Sequence, residues 1–127
     1  MDKVRPLAKR LPNSRVVTII AQDPSVRVRG KILTADVEIP AEELLPGPRG
    51  YRVSVIDYDS STGVLYQPAI LAPPGKANGK NAKKAASGLS NKQLLEDPRF
   101  HAQNVYAIVM RILARFEFAL GRRVAWG

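Results

Sequence analysis

Few side chains in this sequence have the type and spacing to do chemistry, and those that do stand apart from one another. His101 is the single histidine, and there is no cysteine. That removes disulfides, thiolate zinc sites and cysteine nucleophiles together. An imidazole at position 101 would serve as a general base or as one metal ligand. A zinc site needs three or four His, Cys or carboxylate donors, and His101 has no companions at ligand spacing. A structural or surface role is the better reading. Asp57 and Asp59 flank Tyr58, and paired carboxylates suit a divalent cation. The calcium loop needs a glycine and a closing acid at set positions. Gly63 is misplaced for that pattern and no acid follows at the required spacing. The two aspartates therefore read as turn residues whose carboxylates bond nearby amides. Glu42-Glu43 reads as a solvated turn.

Gly75-Lys-Ala-Asn-Gly79-Lys80 has the look of a phosphate loop, which requires GxxxxGK[ST] between a strand and a helix. Its two glycines are one residue too close, and Asn81 stands where Ser or Thr should bind magnesium. The net charge of +9 invites nucleic acid or an anionic surface. Lys76, Lys80, Lys83, Lys84 and Lys92 are the candidate anion- or nucleic-acid-binding residues. No aromatic residue is interleaved with them, so base stacking is not provided there. A basic linker without a ligand is the competing reading.

The elements that would position these residues follow from hydropathy. The 127 residues fit one domain, and an apolar fraction of 45% is ordinary for a globular chain. No apolar run reaches the ~20 residues of a membrane-spanning helix, and the basic N-terminus lacks the apolar core of a signal peptide. A cytoplasmic location is expected.

Residues 1–14, broken by Pro6 and Pro12, read as a basic disordered tail. Residues 15–21, Arg-Val-Val-Thr-Ile-Ile-Ala, form a β-branched run that predicts a buried strand. Asp23-Pro24-Ser25 is a turn. From 26 to 39 the apolar positions switch from even (Val26, Val28, Ile32) to odd (Leu33, Ala35, Val37, Ile39). A one-residue slip flips every side chain, so a bulge or tight turn is expected near Gly30-Lys31-Ile32. Pro40 ends this strand, and residues 41–45 form at most one helical turn. Residues 51–66 predict a hairpin, with Tyr51, Val53 and Val55 on its core face. Residues 72–90 are small and basic and predict a mobile loop. A short helical segment over 91–96 precedes the main helix.

The last segment has the best-marked helix. Asp97 suits the N-cap, Pro98 the first helical position and Gly121 the left-handed position past the end. Val105, Ile108, Val109, Ile112, Phe116 and Leu120 fall on one apolar stripe, expected to pack on the sheet. Phe100, Ala107, Ala114 and Phe118 form a second stripe, the candidate partner interface. A helix that is apolar on two sides is normally packed on two sides.

The same segment carries a family resemblance. Phe100-His101-Ala102-Gln103-Asn104-Val105-Tyr106, then Leu113-Ala114-Arg115-Phe116-Glu117, Ala119-Leu120-Gly121-Arg122-Arg123 and Val124-Ala125-Trp126, resemble the region upstream of the zinc site in bacterial gluzincin-type, thermolysin-like metallopeptidase homologues. It covers at most residues 50–127, with Gly50-Tyr51-Arg52-Val53 to Asp57-Tyr58-Asp59 and Leu65-Tyr66 as an N-terminal β region. The family's zinc helix carries His-Glu-x-x-His, two ligands and the general base. That motif is absent here, so no catalytic or metal residue is carried over. The resemblance implies a non-catalytic part of a zinc metallopeptidase-like protein, or a stand-alone relative. Zinc is implied only where a downstream catalytic region exists.

The expected fold is α+β: a small, mainly antiparallel sheet of about four to five strands packed by one long C-terminal helix, with a flexible basic loop between. Residues 15–127 form one domain, divided into a β region (15–71), the loop (72–90) and a helical region (91–127), and open to being part of something larger. Expected partners are further polypeptide or another subunit through the helix, with nucleic acid as a candidate and no membrane. A small basic nucleic-acid-binding module and a homo-oligomeric structural protein are the alternative functions.

Overall fold

Two seven-residue strands and one long helix carry the structure. The computed structural model describes residues 13–71 and 89–125. In chain order the elements are β1 (Ser14–Ile20), β2 (Arg27–Val28), β3 (Lys31–Ile32), β4 (Thr34–Pro40), β5 (Tyr58–Asp59), β6 (Val64–Leu65), α1 (Asn91–Glu96) and α2 (Pro98–Leu120). The class is α+β, as the periodicities predict. The strands form three separate antiparallel pairs, β1-β4, β2-β3 and β5-β6, in place of one continuous sheet.

β1 and β4 pair along their full length, from Ser14 opposite Pro40 to Ile20 opposite Thr34. Alternation then puts Arg15, Val17 and Ile19 on the face shared with Ile39, Val37 and Ala35. α2 packs on that face. Val17, Ile39, Tyr106, Ala107 and Met110 form the main core, flanked by Leu44, Val53, Val55 and Leu71. Ile32, Leu94 and Phe100 form a smaller cluster beside it.

The phase change expected near residue 30 resolves as a tight turn. Arg29 (φ 51°) and Gly30 (φ 74°) both take left-handed backbone between β2 and β3, the geometry of a two-residue hairpin loop. Asn91 locks this hairpin to α1: its amide donates to the Gly30 carbonyl at 2.8 Å, and its Oδ1 accepts from the Ile32 N–H at 3.0 Å.

The hairpin expected over 51–66 is much shorter than its sequence suggests. Only Tyr58–Asp59 and Val64–Leu65 pair as strands. Residues 51–57 form no ladder; Ser54 makes one bridge to Arg49. Pro46 and Pro48 have no N–H to donate, so the preceding segment offers an interrupted edge. The chain turns sharply instead, with the Gly50 N–H donating to the Val53 carbonyl at 2.8 Å. Val53 and Val55 still reach the core, whereas Tyr51, expected beside them, is 99% exposed. Residues 41–45 form no helical turn.

Both helices start on side-chain caps. Ser90 and Gln93 form a reciprocal capping box on α1. Asp97 accepts from the Arg99 N–H at 2.9 Å, Pro98 opens α2, and Gly121 (φ 66°) closes it in left-handed backbone. The Arg99 guanidinium also bonds Asp97, which holds that carboxyl below the usual range. Replacing Asp97 by alanine is expected to cost about 1 kcal/mol, read as a lower midpoint in urea with an unchanged slope.

The expected orientation of α2 is reversed. Phe100, Ala102, Tyr106, Ala107, Met110 and Leu113 are buried, while Val105, Val109, Ile112, Phe116 and Leu120 face solvent. Polar groups decide the rotation. With this face inward, the Gln103 amide donates to the Thr18 carbonyl at 3.0 Å, Asn104 Oδ1 accepts from the Ile20 N–H at 2.9 Å, and Arg111 donates to the Glu38 carbonyl at 2.8 Å. Turning the β-branched stripe inward would exchange these side-chain bonds for bonds to water and set apolar side chains against the Thr18 carbonyl and the Ile20 N–H, at roughly 1–3 kcal/mol for each backbone group left buried and unpaired.

Candidate functional site

Two arrangements merit a chemical reading: a polar cluster under the helix and the apolar face on its outside. The cluster centres on Glu42. Its Oε1 accepts from the Tyr106 hydroxyl at 2.6 Å, its Oε2 accepts from the Arg52 N–H at 3.3 Å, and its backbone carbonyl accepts from Arg15 Nη2 at 3.2 Å. Arg52 pairs in turn with Glu117 of α2. Gly50 lies against the Glu42 carboxylate so closely that a Cβ would collide with it. Burial first, then the hydrogen bond to Glu42, raises the Tyr106 pKa, while burial lowers that of Arg15. A phenol beside a carboxylate is a proton-transfer pair in principle. Here Tyr106 is 1% exposed and its hydroxyl is engaged by Glu42, so the phenol is not open to a substrate atom, and the raised pKa keeps the proton on oxygen. The cluster fastens β1, the 42–52 segment and α2 together.

The sequence-derived candidates are scattered. His101 is exposed in the first turn of α2. Lys92 pairs along α1 with Glu96 at 4.0 Å, and both side chains are exposed; Lys76, Lys80, Lys83 and Lys84 lie outside the described residues. Asp59 behaves as a turn residue. Its carboxylate accepts from Ser61 N–H and Oγ at 2.9 and 2.6 Å and from Thr62 Oγ1 at 2.7 Å. The Ser61 and Thr62 hydroxyls pull its pKa down to about 2. The folded pKa is depressed, so this loop's contribution is present above the unfolded value of about 4. It is lost as pH falls through about 2. Carboxyl NMR titration of Asp59 is expected to show a midpoint near 2; one near 4 would mean the loop bonds do not persist in solution.

Among the described residues no three His, Cys, Asp or Glu side chains gather so as to hold a metal ion, and no helix is long and apolar enough to cross a membrane.

The candidate interface residues divide. Phe100 and Ala107 are buried in the chain's own core, the first against Ile32 and Leu94, the second beneath Tyr106 and Met110. They are therefore unavailable to a partner, a correction that follows from the helix rotation. Ala114 is half-buried, and Phe118 is 90% exposed. The apolar surface open to solvent is instead the stripe Val105, Val109, Ile112, Phe116 and Leu120, with Ile112 49% and Phe116 62% exposed. It runs about 22 Å along the helix at 1.5 Å per residue. The sequence pattern reads Glu42 with Glu43 as a solvated turn and assigns Tyr106 no role, whereas Glu42 is half-buried with its carboxylate bonded to Tyr106 and Arg52; 64 positions separate Glu42 from Tyr106, and no local pattern links them. Comparison with protein-family models, curated proteins and solved structures finds no match for this chain.

Proposed function

We propose that this chain is the non-catalytic N-terminal part of a zinc metallopeptidase-like protein, or a stand-alone relative of one, whose α2 is covered by further polypeptide or another subunit. The solvent-facing stripe from Val105 to Leu120 carries this reading. Single exposed apolar residues are ordinary, whereas an aligned row of Val, Val, Ile, Phe and Leu marks a surface meant for contact. The resemblance of residues 100–126 to the pre-zinc region of thermolysin-like homologues supplies the class. The donors for zinc do not fit within the described residues, where no suitable cluster exists. Zinc chemistry on this reading belongs to polypeptide carrying His-Glu-x-x-His.

The lack of native cysteine makes a clean test. A thiol introduced by Ile112→Cys is expected to react fast with a maleimide in this chain alone. It is expected to be protected in the longer gene product or in a complex isolated from its source. The chain alone is expected to hold no stoichiometric zinc and cleave no peptide. Zinc at one equivalent with peptidase activity in this chain, or a thiol equally reactive in every context, overturns the reading.

A further inference from the structure

We infer that the partner element on this face is an amphipathic α-helix with acidic flanks, packed lengthwise along α2. This rests on the reading that the face is covered, and it adds what covers it.

Spacing points to a helix. Val105, Val109, Ile112 and Phe116 are separated by four, three and four residues, and Ala119 continues the alternation. That is the seam of a helix pair, whose axes cross at about 20° so that side chains keep meeting over several turns. A lipid surface needs only the apolar face with basic flanks and no register, and the vesicle arm of the test below separates it from a helix.

Charge points to acid on the partner. On one side the stripe is closed by the fold itself, where Tyr106 and Leu113 are buried. Its open side carries Arg115, with Arg111 behind it, and Arg122 follows just past the helix end after Gly121. None of these three has a carboxylate within 4.0 Å among the described residues, where the ion pairs are Arg52–Glu117, Lys92–Glu96 and Arg99–Asp97. Glu117 is the only acid in α2, and it is turned inward to Arg52. Glu38 lines a groove with Arg111, Arg115 and Phe118, yet Arg111 bonds its backbone carbonyl. A second copy would bring another net +9 and no free acid on α2 to meet this row. Opposite charge at the edge positions is what sets partner choice in paired helices.

The probe is a synthetic peptide of about three heptads, with Leu at the seam positions, Glu at both flanks, and Ala and Gln elsewhere. A matched peptide carries Lys in place of Glu. Binding to the full chain is followed by fluorescence anisotropy at low salt. The Glu peptide is expected to bind at least tenfold tighter than the Lys peptide. Arg115→Glu with Arg122→Glu should reverse that preference, and Ile112→Asp should abolish binding of both. Circular dichroism and thermal midpoints confirm that each variant is folded; should Ile112→Asp unfold, Ile112→Gln and the charge reversal decide. Equal binding, a preference for the Lys peptide, or no binding overturns the inference. So does a chain that sediments as a dimer disrupted by Ile112→Gln. Tighter binding of phosphatidylglycerol vesicles or single-stranded oligonucleotide through the same residues also overturns it. Thiol protection at position 112 reads coverage alone, so it can succeed while the peptide test fails.

Discussion

Replacing Glu42 by alanine is expected to destabilise the fold by about 2–4 kcal/mol, combining a lost charge-assisted hydrogen bond with a buried donor left unpaired. The Tyr106 hydroxyl, at 2.6 Å from Glu42, would lose its acceptor in a residue that is only 1% exposed. The Arg52 N–H would lose one as well, and Arg15 would lose the negative charge that offsets part of its burial. For a domain near 100 residues, each kcal/mol moves the thermal midpoint by roughly 4–8 °C, so a fall of roughly 8–32 °C is expected. Glu42→Gln keeps an oxygen acceptor and should recover a large part of the loss. Tyr106→Phe removes the donor and leaves the Glu42 acceptor in place; its cost added to that of Glu42→Ala should exceed the cost of the double variant, because both singles break the same bond. Strict additivity would show that the two groups are not coupled.

Met110→Ala is expected to cost about 2–5 kcal/mol, the range for emptying a filled core site. Met110 is 1% exposed between Val17, Ile39 and Tyr106. Ile112→Ala, two residues away, is expected to change stability by less than about 1 kcal/mol, since the side chain is half in water and alanine is the better helix former. Urea unfolding of the two variants therefore reads the rotation of α2 directly. Equal losses, or a larger loss at Ile112, would show that the β-branched stripe packs on the strands after all.

The helix ends, the short α1, a bulge or tight turn near Gly30-Lys31-Ile32 (found at Arg29-Gly30) and the turn role of Asp59 were legible because each depends on residues within a few positions. A cap needs Asp97 and the amides of the next turn; a left-handed stop needs Gly121. The long strands were legible for the same reason, since β-branched alternation is local. The 51–57 segment forms no strand although its Tyr-x-Val-x-Val pattern satisfies a strand's alternation, because a ladder also needs a neighbour with free N–H groups. Pro46 and Pro48 withhold them.

Sequence by itself determined that this is a basic α+β chain with a long C-terminal helix, apolar on more than one side, and without cysteine or a spaced set of metal donors. Which apolar side turns inward was decided only by the tertiary structure. Hydrophobic burial is non-directional and nearly indifferent between two greasy faces, whereas hydrogen bonds are directional and costly to leave unmade. With their side of α2 inward, Gln103, Asn104, Tyr106 and Arg111 bond β1, β4 and Glu42. Those contacts span 64 to 85 positions of chain, beyond the reach of any local pattern, and they turn the Val105–Leu120 stripe toward solvent.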